Sequence, residues 1–168
     1  MTSANLESFI FTGHSRHSVD EKGRVAISRS FRKVLPPESN GRFILNLSHD
    51  STIEIHPLSI WKHRGMAALS ELDPDDEDER AKLRTRLAYI TETGMDRAYR
   101  VLIPRVMLEY ANLAPNTECV LNGMGRYIEL SSAHDFDARM AQYVKNFNRV
   151  AAKRKGGAQS PIPGSSDN

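Results

Sequence analysis

Apolar and polar positions along this chain follow two rhythms, a period of two and a period near three and a half, and the pair recurs in the same order twice. "RVAIS" from Arg24 and "RVLIP" from Arg100 alternate with aliphatic side chains, which predicts half-buried strands. Each run then switches to helical spacing, in "SFRKVL" from Ser30 and "RVMLEYANL" from Arg105. Paired runs follow, "RFILNL" with "STIEIH" and "CVLNG" with "RYIEL". The short connections "SHD" and "GMG" suit tight turns, so two hairpins are predicted.

Three longer helices complete the pattern. The first spans about Pro57 to Ala68, with Leu58, Trp61 and Ala68 on one side. A second is expected after Asp73 as N-cap, with Pro74 at the first helical position and acids through the first turn, where they favour the helix dipole. Its stripe is Leu83, Leu87 and Ile90, with Gly94 as the expected stop. The last begins at Ser132, with Asp135 completing a capping-box spacing. It carries Phe136, Met140, Tyr143, Val144 and Phe147. Such stripes are expected to pack inward or against a neighbouring subunit.

The recurrence is one of residues as well as rhythm. At an offset of 76, Asp20, Arg24, Val25, Ile27 and Arg29 match Asp96, Arg100, Val101, Ile103 and Arg105. Leu45-Asn46 matches Leu121-Asn122; after a one-residue slip, Ile53-Glu54 matches Ile128-Glu129 and Trp61 matches Phe136. An internal duplication accounts for this.

Composition narrows the field. The chain has 168 residues, enough for one ordinary domain or two small ones, and 39% of them are hydrophobic. No run approaches the roughly 18 apolar residues that span a bilayer. "MTSANLESFIF" lacks the basic start and apolar stretch of a secretory signal, so cytoplasmic residence is the expectation. The one cysteine, Cys119, reads as a small core residue on a strand.

The net charge of +2 conceals segregation. Glu71 to Arg80 holds seven acids and one base; Asp20 to Pro36 holds five bases and two acids; Lys145 to Lys155 holds five bases and no acid. Segregated positive charge points to an anionic partner. The acid-rich stretch lacks the glycine and ligand spacing of a calcium loop, and the six histidines show no metal-ligand pattern.

The repeated Asp-x-x-x-Arg carries the candidate chemistry. On one reading it is a local ion pair that fixes loop shape, worth about 0–1 kcal/mol when exposed. On the other, Asp aims the planar guanidinium at a phosphate or a guanine edge. Lys22 and Gly23 inside the first motif, Arg97 inside the second, and Arg29, Arg32 and Arg105 beyond them favour nucleic-acid contact. A paired-aspartate enzyme is disfavoured, because an Arg four positions on keeps each carboxylate ionised, whereas a catalytic dyad shares a proton.

"FTGHSRHSVDEKGRVAISRSFR", from Phe11 to Arg32, resembles the opening signature of the MraZ family. "MDRAYRVLIPRVMLEYANL" with "LNGMGRYIEL" is similar to that family's second half. The resemblance runs from about Phe9 to Val150 and implies an α+β fold of two tandem AbrB-like swapped-hairpin modules (double-split β-α-β) with additional helices, assembled as a ring. The implied boundaries are 9–72 and 95–150 for the repeats, 73–94 for a connecting helix and 151–168 for a disordered tail.

The resemblance further implies a nucleoid-associated, sequence-specific DNA-binding regulator, most simply a repressor. Its target is then the bacterial division and cell-wall gene cluster that includes its own gene, bound at tandem promoter boxes by a homo-oligomer. No cofactor, metal, membrane or small-molecule substrate is implied. Asp20, Arg24, Asp96 and Arg100 are carried over as motif residues with Lys22 as a contact, and Arg29 and Arg97 join them from the charge pattern. An antitoxin-like protein-binding module is the alternative. Three departures stand out: Ser28 where proline is usual, Ala98-Tyr99 where a polar residue and glycine precede the second Arg, and Ser131-Ser132 where an aromatic and a cap are more usual. A tyrosine adopts a left-handed turn only at a cost, so the second loop is expected to differ in shape.

Overall fold

The duplicated strand–helix–hairpin phrase folds with its two copies interleaved. The computed structural model describes residues 9–48 and 50–156. In the first copy, β1 (His14–Ser18) and β2 (Arg24–Ala26) lead to α1 (Arg29–Lys33), a 3-10 turn at Pro37–Ser39, and the hairpin β3 (Arg42–Leu47) and β4 (Ile53–Pro57). Helix follows without a break as α2 (Leu58–Ile60), a π-helical turn at Trp61–Gly65, and α3 (Met66–Ser70). Beyond α4 (Glu77–Ala88), the second copy repeats the order: β5 (Thr91–Gly94), β6 (Arg100–Leu102), α5 (Arg105–Tyr110), β7 (Glu118–Gly123), β8 (Ile128–Ser132) and α6 (Ala133–Gly156).

Strand pairing crosses between the copies. The six-stranded antiparallel sheet runs β1-β7-β8-β4-β3-β5, so the first strand of each copy adds to the hairpin of the other. β2 and β6 form a separate two-stranded ribbon with Val25 opposite Val101. On the large sheet Glu54 lies opposite Glu129. Both pairs match corresponding repeat positions, so a pseudo-two-fold relates the halves. Among the described residues, those up to Ala133 form one compact unit and those from His134 form another.

Alternation explains the strands that the sequence reveals. In β4 the side chains of Ile53, Ile55 and Pro57 are buried while Glu54 and His56 face the other way. The core gathers Phe11, Phe31, Phe43, Leu45, Ile103, Met107, Leu121 and Leu130 from both copies. Phe11 meets the edge of Phe31 with ring centroids 5.9 Å apart. Its backbone crosses directly over Gly123, where a β-carbon would lie 2.5 Å from the Phe11 carbonyl carbon. The first and last residues of "FTG" thus bind across that strand, Phe11 pairing with Gly125 and the Gly13 carbonyl accepting from the Gly123 N–H at 2.8 Å. Cys119 is buried on β7 as expected, its thiol pushed up to about 12 by burial, which removes it as a nucleophile.

The expected cap and stop of the acid-rich helix are corrected. Helix α4 is capped by Asp76, whose side chain accepts from the Glu79 N–H at 2.9 Å, and not by Asp73. Asp73 instead accepts from the Asp75 N–H in an Asx turn, which holds Pro74 and Asp75 outside the helix. Gly94 does not stop that helix; it ends at Ala88, and Gly94 closes β5 against β3. Along the α4 stripe, Leu83 and Ile90 are half-buried and Leu87 is exposed. On α6, Phe136 is buried while Met140, Tyr143, Val144 and Phe147 are exposed. Helix α6 also continues to Gly156, into the segment expected as a tail, because Lys and Arg with paired alanines favour helix there. Residues 157–168, and His49 of the "SHD" turn, lie outside the described residues.

Candidate nucleic-acid interface

Each Asp-x-x-x-Arg caps one strand of the β2–β6 ribbon with a tight loop. The Asp20 N–H donates to the Arg24 carbonyl and the Gly23 N–H to the Asp20 carbonyl, both at 2.9 Å. In the second loop Asp96 donates to Arg100 at 2.8 Å and Tyr99 to Asp96 at 2.9 Å. The aspartate side chains fill the loops. Asp20 Oδ1 accepts from the N–H groups of Lys22 (2.9 Å) and Arg24 (2.8 Å), and Asp96 Oδ1 from those of Ala98 and Arg100 (both 2.9 Å).

The second carboxylate oxygens join the loops to each other. Asp20 Oδ2 accepts from Arg24 Nε at 2.7 Å and from Arg100 Nη1 at 3.4 Å. Asp96 Oδ2 accepts from Arg100 Nε at 3.0 Å and lies 3.6 Å from Arg24 Nη1. Four charges thus form a closed, neutral cluster across the pseudo-two-fold. Its side chains are a quarter to a third exposed, buried enough to be held and open enough to be reached.

Both carboxyls sit below the usual aspartate range. The leading cause is the backbone N–H of the loop's own Arg, opposed by partial desolvation and reinforced by the guanidinium and a second N–H. That is the reverse of a proton-sharing dyad, where one acid is raised.

Exposed charge lies around the cluster. Lys22 stands at one loop tip and Arg97 at the other, both exposed. Arg29 is exposed at the start of α1 and takes no part in the cluster. Arg105 is tied to Glu109 at 2.8 Å. The side chains of the basic stretch near Lys155 lie outside those described.

The second loop does not differ in shape. Tyr99 has φ 61°, beside 80° for Gly23 at the matching position, and both carbonyls accept the corresponding N–H, of Ile27 at 2.9 Å and Ile103 at 3.0 Å. Tyr99 is held there by Arg32, one of the bases that the charge pattern grouped with the loops: its guanidinium lies 3.7 Å over the ring centroid. The partner position explains the asymmetry. Leu108 matches Arg32, and a β-carbon on Gly23 would come within 3.2 Å of Leu108 Cδ1. One loop pairs glycine with leucine and the other pairs tyrosine with arginine. Reading the two positions together at the repeat offset is the signal that finds them. Ser28 is likewise accounted for: its hydroxyl accepts from the Phe31 N–H at 3.5 Å and caps α1, whereas Pro104 starts α5 without a side-chain cap.

A family model described as "MraZ protein, putative antitoxin-like" matches residues 10–85. A protein of Pediococcus pentosaceus is 30% identical over 142 residues, covering 84% of this chain and 94% of its own length. The chain belongs to the MraZ family. A MraZ relative from Solidesulfovibrio magneticus is 32% identical over 142 residues (83% and 90% covered). Another from Desulforamulus reducens is 30% identical over 142 residues (84% and 95% covered). All three are named "Transcriptional regulator MraZ", a regulator's name and not an enzyme's. The match to MraZ proteins spans both loops.

Proposed function

We propose that this chain is a sequence-specific DNA-binding transcription regulator, acting as a cytoplasmic, nucleoid-associated homo-oligomeric ring. The observation that carries the reading is the neutral Asp20–Arg24–Asp96–Arg100 cluster, with Lys22 and Arg97 held at its two tips. The cluster acts as a staple that fixes the spacing of two basic tips, while the tips and the reachable edges of Arg24 and Arg100 meet the duplex. Arg29 adds an exposed charge along α1. The exchange of β1 and β5 supports two AbrB-like swapped-hairpin repeats, 9–72 and 95–150 joined by 73–94, with β5 at the end of that connection serving as the first strand of the second repeat.

Magnitudes decide why an oligomer is required. Two to four neutralised phosphates per subunit give a salt slope of about 0.9 for each and weak binding. Adjacent subunits engaging tandem promoter boxes add roughly 100-fold or more in avidity when spacing matches. Repression follows most simply from occupying a promoter, with the division and cell-wall cluster and the chain's own gene as targets.

The test is binding of the full chain to promoter duplexes carrying one or several boxes, across a salt series. Lys22→Ala with Arg97→Ala should flatten the salt slope by roughly 0.9 for each phosphate no longer neutralised. An unchanged slope rejects the loops as the DNA-touching surface. The words "antitoxin-like" in the family description favour a second reading, a protein-binding module. Recovery of one stoichiometric protein partner and no DNA would select it.

A further inference from the structure

A second site lies beside the outward face of β4. Strand β4, the α2–α3 helix with its π-helical turn, the end of α4, and α5 border an open-sided cavity of about 680 Å³. That falls within the size of small-ligand pockets, roughly 300–1,000 Å³. Five rings line it, those of His56, Trp61, Tyr89, Tyr110 and Tyr127. The His56 ring stacks on Tyr127 with centroids 4.8 Å apart and meets Trp61 edge-on at 5.0 Å. The π-helical turn has a purpose here: a β-carbon on Gly65 would lie 2.5 Å from the indole, so the glycine lets Trp61 lie against its own helix. Single π turns of this kind recur at functional sites.

The charges at the wall have a sign. Glu54 is engaged by His56 Nε2 at 2.9 Å. The other charged lining residues are both guanidinium groups, Arg126 and the exposed Arg64. A flat aromatic ring satisfies the Trp61 and Tyr127 walls, and an acidic substituent satisfies Arg64 through a charge-assisted hydrogen bond. We propose that this cavity is a binding site for a planar aromatic carboxylate. The ligand would rest against Val106 and Tyr110 of α5, the helix that follows the Asp96–Arg100 loop.

Trp61 is the chain's one tryptophan, so its emission reads the cavity without a label. The full chain is titrated with cinnamate and with the uncharged cinnamamide, by fluorescence and calorimetry, in the absence of DNA. The site predicts a saturable response to cinnamate with Kd below about 1 mM, and at least roughly tenfold weaker binding of cinnamamide. Arg64→Ala, an exposed position, should bring cinnamate down to the cinnamamide level with an unchanged melting temperature. Val106→Phe, which fills the mouth from an exposed position, should abolish both responses. A linear, unsaturable response to cinnamate overturns the site. Equal binding of the two compounds, or undiminished binding by Arg64→Ala, overturns the ligand class. Because no DNA is present, these outcomes are separate from those of the promoter assay.

Discussion

Arg100 donates through Nη1 to Asp20 Oδ2 at 3.4 Å, joining residues 80 positions apart in sequence. This bond and the matching ion pair, Arg24 Nη1 to Asp96 Oδ2 at 3.6 Å, join the two local loops. Asp20→Asn keeps an oxygen for the Lys22 and Arg24 N–H groups but removes the charge shared with both guanidiniums. Promoter affinity should fall by roughly tenfold for Asp20→Asn or Asp96→Asn, and by much less than the product of the two for the double variant. Strict additivity in that cycle would show that the loops act independently.

The direction of the carboxyl shifts sets an acid limit. Both aspartates titrate below their ordinary value of 3.8 in the folded chain. A group depressed on folding contributes stability above its unfolded value, and that contribution is lost as pH falls through the folded value. The loop amides of Arg24 and Arg100 should therefore stay protected from neutral pH down to about pH 4, then open. Hydrogen exchange followed by NMR across that range reads it. Opening that begins near pH 6 would contradict the shared-carboxylate account.

Tyr99 and Arg32 set two effects of similar size against each other. A left-handed residue with a β-carbon costs about 1–2 kcal/mol, and a partly exposed cation–π contact returns about 0.5–2 kcal/mol. Tyr99→Gly should therefore leave stability within about 1 kcal/mol of the parent in chemical denaturation. Arg32→Ala in the parent should cost about 0.5–1 kcal/mol, and almost nothing in the Tyr99→Gly background. A full Arg32→Ala cost in both backgrounds would mean that the stacking contributes nothing.

How much of this is legible in the chain depends on where apolar side chains fall. The repeated Asp, Arg, Val and Ile positions reveal the ribbon and its loops, since Val25 and Val101 need burial and the charges do not. β1 and β5 escape detection because "HSRHS" and "TETG" carry no apolar face; they are the sheet's end strands, held by backbone pairing. The Thr-Glu-Thr alternation is the one available cue for β5. Exchange of those strands between copies is invisible for the same reason, as each accepts either hairpin equally well on sequence grounds. The start of α4 is ambiguous in sequence because both Asp73 and Asp76 can cap, and only the Asx turn at Asp73 decides between them.

Ser28 offers a check on the capping account. Its backbone, with φ −60° and ψ 152°, already suits proline, the residue at the matching position 104. Ser28→Ala should cost about 0.5–1 kcal/mol, at the lower end for a cap because the hydrogen bond is long. Ser28→Pro loses the same cap but restricts the unfolded chain, which returns about 0.4–1 kcal/mol. Thermal unfolding should then rank Ser28→Pro level with the parent and Ser28→Ala below both. A proline variant weaker than the alanine variant would show that the Ser28 N–H carries a bond the backbone geometry does not reveal.

The crossing of Phe11 over Gly123 gives the sharpest steric consequence. A methyl at position 123 would meet backbone atoms of Phe11 and Thr12 at 2.5 Å, and backbone cannot swing aside as a side-chain end can. Relief requires lifting the Phe11–Gly13 segment, which draws Phe11 away from Phe31 and stretches its pairing with Gly125. Gly123→Ala should therefore destabilise by about 1–3 kcal/mol, as overpacking does. Gly125→Ala is the informative neighbour: its β-carbon would meet open space, so only the strain of φ 76° opposes it, about 1–2 kcal/mol. Combining each with Phe11→Ala separates the causes. Removing the Phe11 ring should lessen the added cost of Gly123→Ala, because the displaced segment then pulls no ring out of the core. The added cost of Gly125→Ala should be the same with or without that ring, since backbone strain at position 125 does not depend on it.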